Sequence, residues 1–314
     1  MNYSTLAKGT LKGDRKAAAR LISVVEDEEE GYREAMKIVF CGTRGAGVLG
    51  ITGAPGVGKS TLVFEIAKSF RKAGKSVGIV AVDPTSPLTG GAILGDRIRM
   101  TDLSADPGVF IRSMGSRGGT GGLSLQTSNV IRILDALGCD EIIVETVGAG
   151  QTQVDIMGMA DTVVVVTMPG TGDEVQSIKA GLLEIADLYV VNKMDLPGAM
   201  NTASDLKSML DLVDDWKGWK PPVLLASAST GRGLDQMLEF IGRHRAWISQ
   251  PERFLERRSR QARKEIYDLV TMEVHRMIES KFPSVKLDAI VRDVVQGKLS
   301  PYEAAEKVAA FAIR

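Results

Sequence analysis

Apolar residues along this chain keep three different rhythms. Over residues 1–45 they recur at helical spacing. Ala17, Ala18, Leu21, Ile22 and Val25 fall on one stripe behind Asp14, a residue suited to cap a helix start, and Tyr32, Met36, Ile38 and Val39 mark a second helix. From residue 48 to about 246, short β-branched runs alternate with helical stretches. These runs predict strands at Val48–Thr52, Val77–Val82, Val109–Ile111, Glu141–Val144, Thr162–Thr167, Leu188–Val191 and Val223–Ala226. Several are apolar on both faces, as strands of a parallel sheet covered by helices are. The expected fold is α/β, a doubly wound, mostly parallel sheet. Beyond about residue 250 the helical rhythm returns in Ile266, Leu269, Val270, Val274, Met277 and Ile278, then in Leu287, Ile290, Val291, Val294 and Val295. Ser300-Pro301-Tyr302-Glu303 reads as a capping box with proline at the first helical position. The division drawn from these rhythms is an N-terminal helical extension (1–45), an α/β domain (46–248) and a C-terminal helical arm (249–314). The apolar stripes of the arm need a partner, either the chain's own core or a second copy of the chain.

The chemistry begins where the first strand ends. Gly53-Ala54-Pro55-Gly56-Val57-Gly58-Lys59-Ser60-Thr61 is a complete G-x-x-x-x-G-K-[ST] loop between a strand and a helix. That context is what the motif requires, because backbone N–H groups and a helix N-terminus converge there on an anion. Lys59 offers a charge to the β- and γ-phosphates, and the Ser60 hydroxyl offers an oxygen to Mg²⁺.

Asn192-Lys193-Met194-Asp195, after a buried strand, selects the base. The Asp195 carboxylate can accept hydrogen bonds from guanine N1 and N2, a donor pair that adenine lacks, so GTP is favoured over ATP. Lys193 can lie along the base and Asn192 can brace the loop. Ser227-Ala228-Ser229 follows the last strand, where a backbone N–H can meet guanine O6. Asp83, Asp96 and Glu145 are candidate magnesium and switch carboxylates. Mg²⁺ is octahedral and keeps several waters, so the three are not all permanent direct ligands. No glutamine stands directly after Glu145-Thr146-Val147-Gly148, where Ala149 does, so intrinsic hydrolysis is expected to be slow. Lys179 is a candidate donor of positive charge to the transition state, and the glycine-rich stretches 113–122 and 168–173 are candidate switches.

Composition narrows the partners. The 314 residues carry 39 basic and 39 acidic side chains, which gives no electrostatic case for nucleic acid or an anionic membrane surface. Cys41 and Cys139 form neither a metal spacing nor a disulfide framework. No apolar run reaches the length of a membrane span, and the acidic run Glu26 to Glu30 argues against a transit peptide, so a cytoplasmic protein is expected. Two other classes share a phosphate loop. A nickel-delivering GTPase would carry a His or Cys cluster, and here His244 and His275 stand far apart; a transporter-associated kinase would need an acceptor site, and none is visible.

The motifs come in one order: the phosphate loop, Val82-Asp83-Pro84-Thr85-Ser86-Pro87, Gly95-Asp96-Arg97-Ile98-Arg99-Met100, the run Asp106 to Met114, Glu145-Thr146-Val147-Gly148, and Asn192-Lys193-Met194-Asp195. This series resembles the MeaB/ArgK/MMAA family of P-loop GTPases over nearly the whole chain. The resemblance implies a GTPase chaperone of an adenosylcobalamin-dependent acyl-CoA mutase, which gates cofactor loading, protects the mutase and helps eject damaged cobalamin. It also implies a homodimer built through the helical extensions, contact with an adenosyltransferase, and adenosylcobalamin met only through the mutase. Methylmalonyl-CoA mutase is the default partner; mutases for 2-hydroxyisobutyryl-CoA, isobutyryl-CoA or ethylmalonyl-CoA stay open. By the same resemblance Ser60, Asp83, Asp96 and Glu145 are the magnesium and switch residues, and the stretch Asp173 to Lys179 is a third switch that delivers Lys179.

Overall fold

All seven predicted strands form, and each pairs only in parallel. They are β1 (Gly47–Thr52), β2 (Val77–Asp83), β3 (Val109–Gly115), β4 (Glu141–Thr146), β5 (Thr162–Thr167), β6 (Leu188–Val191) and β7 (Val223–Leu225). Their order across the sheet is β3-β2-β4-β1-β5-β6-β7. The computed structural model describes residues 3–83, 101–115, 122–146, 154, 157–170, 185–216, 218–281 and 284–312.

The helices are α1 (Tyr3–Leu11), α2 (Arg15–Glu26), α3 (Tyr32–Phe40), α4 (Lys59–Lys72), the single turn α5 (Thr101–Ser104), α6 (Gly122–Leu137), α7 (Ala199–Leu210), α8 (Leu234–Ile248), α9 (Pro251–Lys281), α10 (Ser284–Val295) and α11 (Pro301–Ala312). Asp14 caps α2 through hydrogen bonds from the amides of Lys16 and Ala17.

The sheet is buried on both faces, and strand periodicity assigns each residue to one of two cores. Val48, Val80, Val82, Ile142, Val144, Val163, Val165, Tyr189 and Val191 join α1, α2, α3, α6 and α7 in one. Leu49, Ile51, Ile79, Ile143, Val164, Val166, Leu188 and Val190 join α4 and α8 in the other. The three N-terminal helices thus share a core with the sheet, and Met1–Phe254 is one compact unit.

Besides β2, which adds Asp83, two strands run further than their apolar pattern. β4 continues through Glu145 and Thr146, which are polar yet buried. β3 continues from Ile111 to Gly115 as an edge strand whose Arg112 and Ser113 are half-buried.

The second unit, Leu255–Arg314, is helical. Its capping box is formed: Glu303 Oε2 accepts from the Ser300 amide at 2.9 Å, and the Glu303 amide donates back to Ser300 Oγ at 3.2 Å. Ile266, Val270, Val274 and Val291 are each about half exposed in the isolated chain. No helix among the described residues is long and apolar enough to cross a membrane.

Candidate nucleotide-binding site

The carboxyl ends of β1, β2, β4, β5, β6 and β7 deliver nearly all the candidate chemistry to one edge of the sheet, where ligands bind in open α/β folds. The loop leaving β1 turns through Gly53 (φ +143°) and Gly58 (φ +96°) before α4 begins. Glycine is required at both. A Cβ on Gly53 would lie 2.0 Å from the Val166 carbonyl oxygen, and one on Gly58 would lie 2.4 Å from Asn192 Nδ2. The loop therefore packs against β5 and against the candidate base-reading segment at once. Ala54 is half-buried, Pro55 and Gly56 are exposed at the rim, Val57 is buried, and Thr61 is half-buried in the first turn of α4.

Lys59 is 6% exposed, and its ammonium donates to the carbonyls of Gly53 (2.7 Å) and Ala54 (2.8 Å). The charge is thereby aimed along the loop at the N-terminus of α4, where backbone amides and the helix dipole add to it. Beside it the Ser60 hydroxyl donates to Glu145 Oε1 at 2.7 Å, and Glu145 is 4% exposed. Behind them the Thr146 hydroxyl donates to Thr52 Oγ1 at 2.9 Å, locking the carboxyl ends of β4 and β1 together. Asp83 closes β2, in register with Gly115 of β3. Asp96 and Lys179 lie outside the described residues, as do most of the candidate switch stretches.

At the candidate base end Asn192 is 2% exposed and bridges two loops. Its Nδ2 donates to the Val57 carbonyl at 2.8 Å, and its Oδ1 accepts the Ala228 amide at 3.0 Å. A base carbonyl at that amide would share it with Asn192. Lys193 adopts a left-handed backbone (φ +56°), uncommon for a residue with a side chain. Its ammonium donates to the Gly56 carbonyl at 2.9 Å and lies 3.1 Å from Met168 Sδ. The Met194 amide donates to the Ala226 carbonyl at 2.9 Å, fixing the turn that presents Asp195.

The Asp195 carboxylate is exposed, and its Oδ1 accepts the Ser227 hydroxyl at 2.7 Å. That hydrogen bond, more than any other influence, holds the Asp195 carboxyl below the usual aspartate range. Ser229 Oγ lies 3.2 Å from Ser227 Oγ and completes the cluster. The sequence singled out Ser227 without showing that it holds Asp195, and nothing local marks Met168 as a neighbour of Lys193.

His244 lies at the opposite edge. It is fully buried, with Nδ1 2.9 Å from Thr162 Oγ1 at the start of β5 and Nε2 3.2 Å from Asp187, against Trp219. Cys139 is buried, and burial pushes its thiol up to about 12. Among the described residues no cluster of His, Cys, Asp or Glu is placed to hold a metal ion in the manner of a nickel-delivery site.

Comparison with known proteins finds relatives along nearly the whole chain. The sequence profile of the methylmalonyl-CoA mutase-associated GTPase MeaB matches residues 18–282. A Pyrococcus abyssi protein provisionally named a GTPase is 48% identical over 300 residues, 95% of this chain and 93% of that protein. The GTPase ArgK of Escherichia coli is 36% identical over 254 residues, 77% of this chain and 76% of that protein. The mitochondrial methylmalonic aciduria type A homolog of Mus musculus is 30% identical over 321 residues, 96% of this chain and 77% of that protein. The crystal structure of a LAO/AO transport system kinase shares the fold with a TM-score of 0.74 at 24% identity, covering 99% of this chain and 98% of that one.

Proposed function

This chain belongs to the MeaB family of methylmalonyl-CoA mutase-associated GTPases, and from that membership we propose that it is a GTPase chaperone of an adenosylcobalamin-dependent acyl-CoA mutase. Hydrolysis of GTP to GDP and phosphate is its reaction. In the proposed role that reaction gates cofactor loading, protection and reactivation of the mutase, with methylmalonyl-CoA mutase the default partner and a relative such as 2-hydroxyisobutyryl-CoA mutase the alternative. The observation that carries the partner is the family match over residues 18–282.

In this reading residues Gly53 to Thr61 cradle the phosphates, and Lys59 neutralises charge on the β- and γ-oxygens. Ser60 and Glu145 are hard oxygen donors in direct contact, a set that suits Mg²⁺ and would hold it with help from Asp83 and Asp96. Bound there, Mg²⁺ supplies neutralisation of charge between the terminal phosphates. Lys179, delivered by the third switch, adds positive charge to the transition state. Asp195, presented by Ser227 and the Met194 turn, accepts from guanine N1 and N2, while Asn192 and Lys193 tie that reader to the phosphate loop. The half-exposed apolar residues of α9 and α10 support a homodimer through the C-terminal arm, since such stripes are normally covered. Two unbridged cysteines are consistent with the cytoplasm, and contact with an adenosyltransferase completes the proposed cofactor route.

A nucleotide switch works only if its partner binds the GTP and GDP states with different affinity. The test is GTP turnover and complex formation with a candidate mutase. The expected result is faster turnover with mutase and a complex whose affinity depends on nucleotide; turnover and affinity both indifferent would overturn the chaperone role. The base assignment is checked separately. Asp195→Asn should weaken GTP by about a hundredfold and admit xanthosine triphosphate, because it exchanges a carboxylate that accepts two N–H bonds for an amide. Lys59→Ala should abolish GTP binding in a titration with a fluorescent analogue.

A further inference from the structure

The acidic run Glu26 to Glu30 is not used by the nucleotide chemistry, and its place in the fold is unfavourable at first sight. Carboxylates crowd the C-terminus of α2, the negative end of the helix dipole. The structure shows what offsets this. The Arg112 guanidinium of β3 grips Glu26 at two points, Nε to Oε1 at 2.9 Å and Nη2 to Oε2, and Nη2 also reaches Ser23 Oγ at 3.2 Å. Glu28, in a left-handed conformation (φ +50°), accepts from Gln126 of α6 at 2.9 Å. Glu29 accepts from the Tyr3 hydroxyl at 2.6 Å and from Arg20 at 3.2 Å. At the other end of α2, Arg15 donates to the carbonyls of Pro107 and Val109 and lies over the Phe110 ring. Helix α2 therefore holds the edge strand β3 at both of its ends.

β3 leads directly to the catalytic edge. In the parallel register Ser113 of β3 stands opposite Ala81 of β2, Ala81 opposite Glu145 of β4, and Glu145 opposite Ile51 of β1. Arg112 immediately precedes this row, and β3 ends with Gly115 opposite Asp83. The Glu26 side chain is only 10% exposed and that of Arg112 25%, so water screens the pair weakly. Two-point Arg–carboxylate geometry fixes direction as well as distance.

We propose that Arg112 is a positioning residue for GTP hydrolysis, and that the Glu26–Arg112 pair makes helix α2 part of the frame that places Glu145. The rival reading is a clasp that only closes the edge of the sheet. The two differ in kinetics, because catalysis is sensitive to misplacement well below the size that disturbs folding. The inference rests on GTP turnover at the phosphate loop and is independent of the mutase.

The test is a double-mutant cycle in the full chain, with basal GTP turnover and thermal melting read on wild type, Glu26→Gln, Arg112→Lys and the double variant. Arg112→Lys keeps the charge and loses the two-point geometry, so it serves even where Glu26→Gln fails to fold. The expected result is a fall in kcat of about tenfold in each single variant, KM within about twofold, and a double variant no worse than the singles. The charge swap Glu26→Arg with Arg112→Glu should regain part of the lost kcat. Unchanged kcat in Arg112→Lys, whether or not its melting temperature drops, overturns the proposal, as does a rise in KM alone.

Discussion

β4 carries a buried glutamate near each end, and the two sit in different surroundings. At the amino end Glu141, with its side chain 3% exposed, is closed in by two cations: Lys75 at 2.6 Å and Arg245 at 2.7 Å. At the carboxyl end Glu145 meets the Ser60 hydroxyl, a neutral donor on the phosphate loop. Burial of a carboxylate is costly, and at the amino end two cations in ion pairs offset that cost. The Ser60 contact instead ties Glu145 to the phosphate loop. In the proposed function the difference separates a strand end that holds the fold from one that serves the nucleotide. His244, buried with Thr162 and Asp187 at the same amino edge, belongs with Glu141. Lys59, Asn192 and Asp195 belong with Glu145.

The sharpest way to break this contrast is to neutralise each glutamate in place. Glu145→Gln preserves shape and a hydrogen bond to Ser60 but removes the charge. It should lower kcat for magnesium–GTP by about 10²–10³-fold, the usual scale for losing one charge-stabilising group. Its melting temperature should stay within a few degrees of wild type. A large loss of stability with little loss of kcat would place Glu145 among the structural carboxylates.

Glu141→Gln should do the reverse. It takes from Lys75 and Arg245 the carboxylate that both pair with, and because those side chains are 45% and 21% exposed, water offsets part of the cost. The expected destabilisation is about 2 kcal/mol, read from urea unfolding, with kcat of the folded enzyme unchanged. Should kcat fall with stability intact, the division between the two strand ends is wrong.

What the sequence revealed follows the same division between local and distant causes. Strands β5 and β6 were legible to the residue because every position in them is buried and apolar or β-branched. The tail of β3 was not, because Arg112 and Ser113 read as the end of a strand. What makes Arg112 compatible with the sheet is Glu26, 86 positions away. The phosphate loop and Asn192 to Asp195 were legible because each is a short motif with its own mechanism. The contacts among them were not. Ser60 meets Glu145 across 85 positions, and Asn192 reaches Val57 across 135. No periodicity records such pairs; they follow from parallel strands placing their carboxyl ends side by side.

The smallest predicted effect tests the base end of the same edge by pH. The Ser227 hydroxyl is the largest cause holding the Asp195 carboxyl below its ordinary range. A depressed carboxyl stays ionised further into acid, and only the ionised form can accept both guanine N–H groups. In Ser227→Ala that carboxyl rises toward its ordinary value. Near neutral pH, above both values, GTP affinity should be almost unchanged. As pH falls, the variant should lose GTP before wild type does, so KM rises at a higher pH on the acid side. Whatever stability the depressed carboxyl lends is likewise present above its unfolded value and lost as pH falls through its folded one. Because Asp195 is exposed, that part should be too small to move the melting curve. The measurement is KM for GTP against pH, with melting temperature followed in parallel. A parallel acid shift in melting temperature would mean that Ser227 serves the fold, as Lys75 and Arg245 do around Glu141. Superimposable KM profiles would remove Ser227 from the base site altogether.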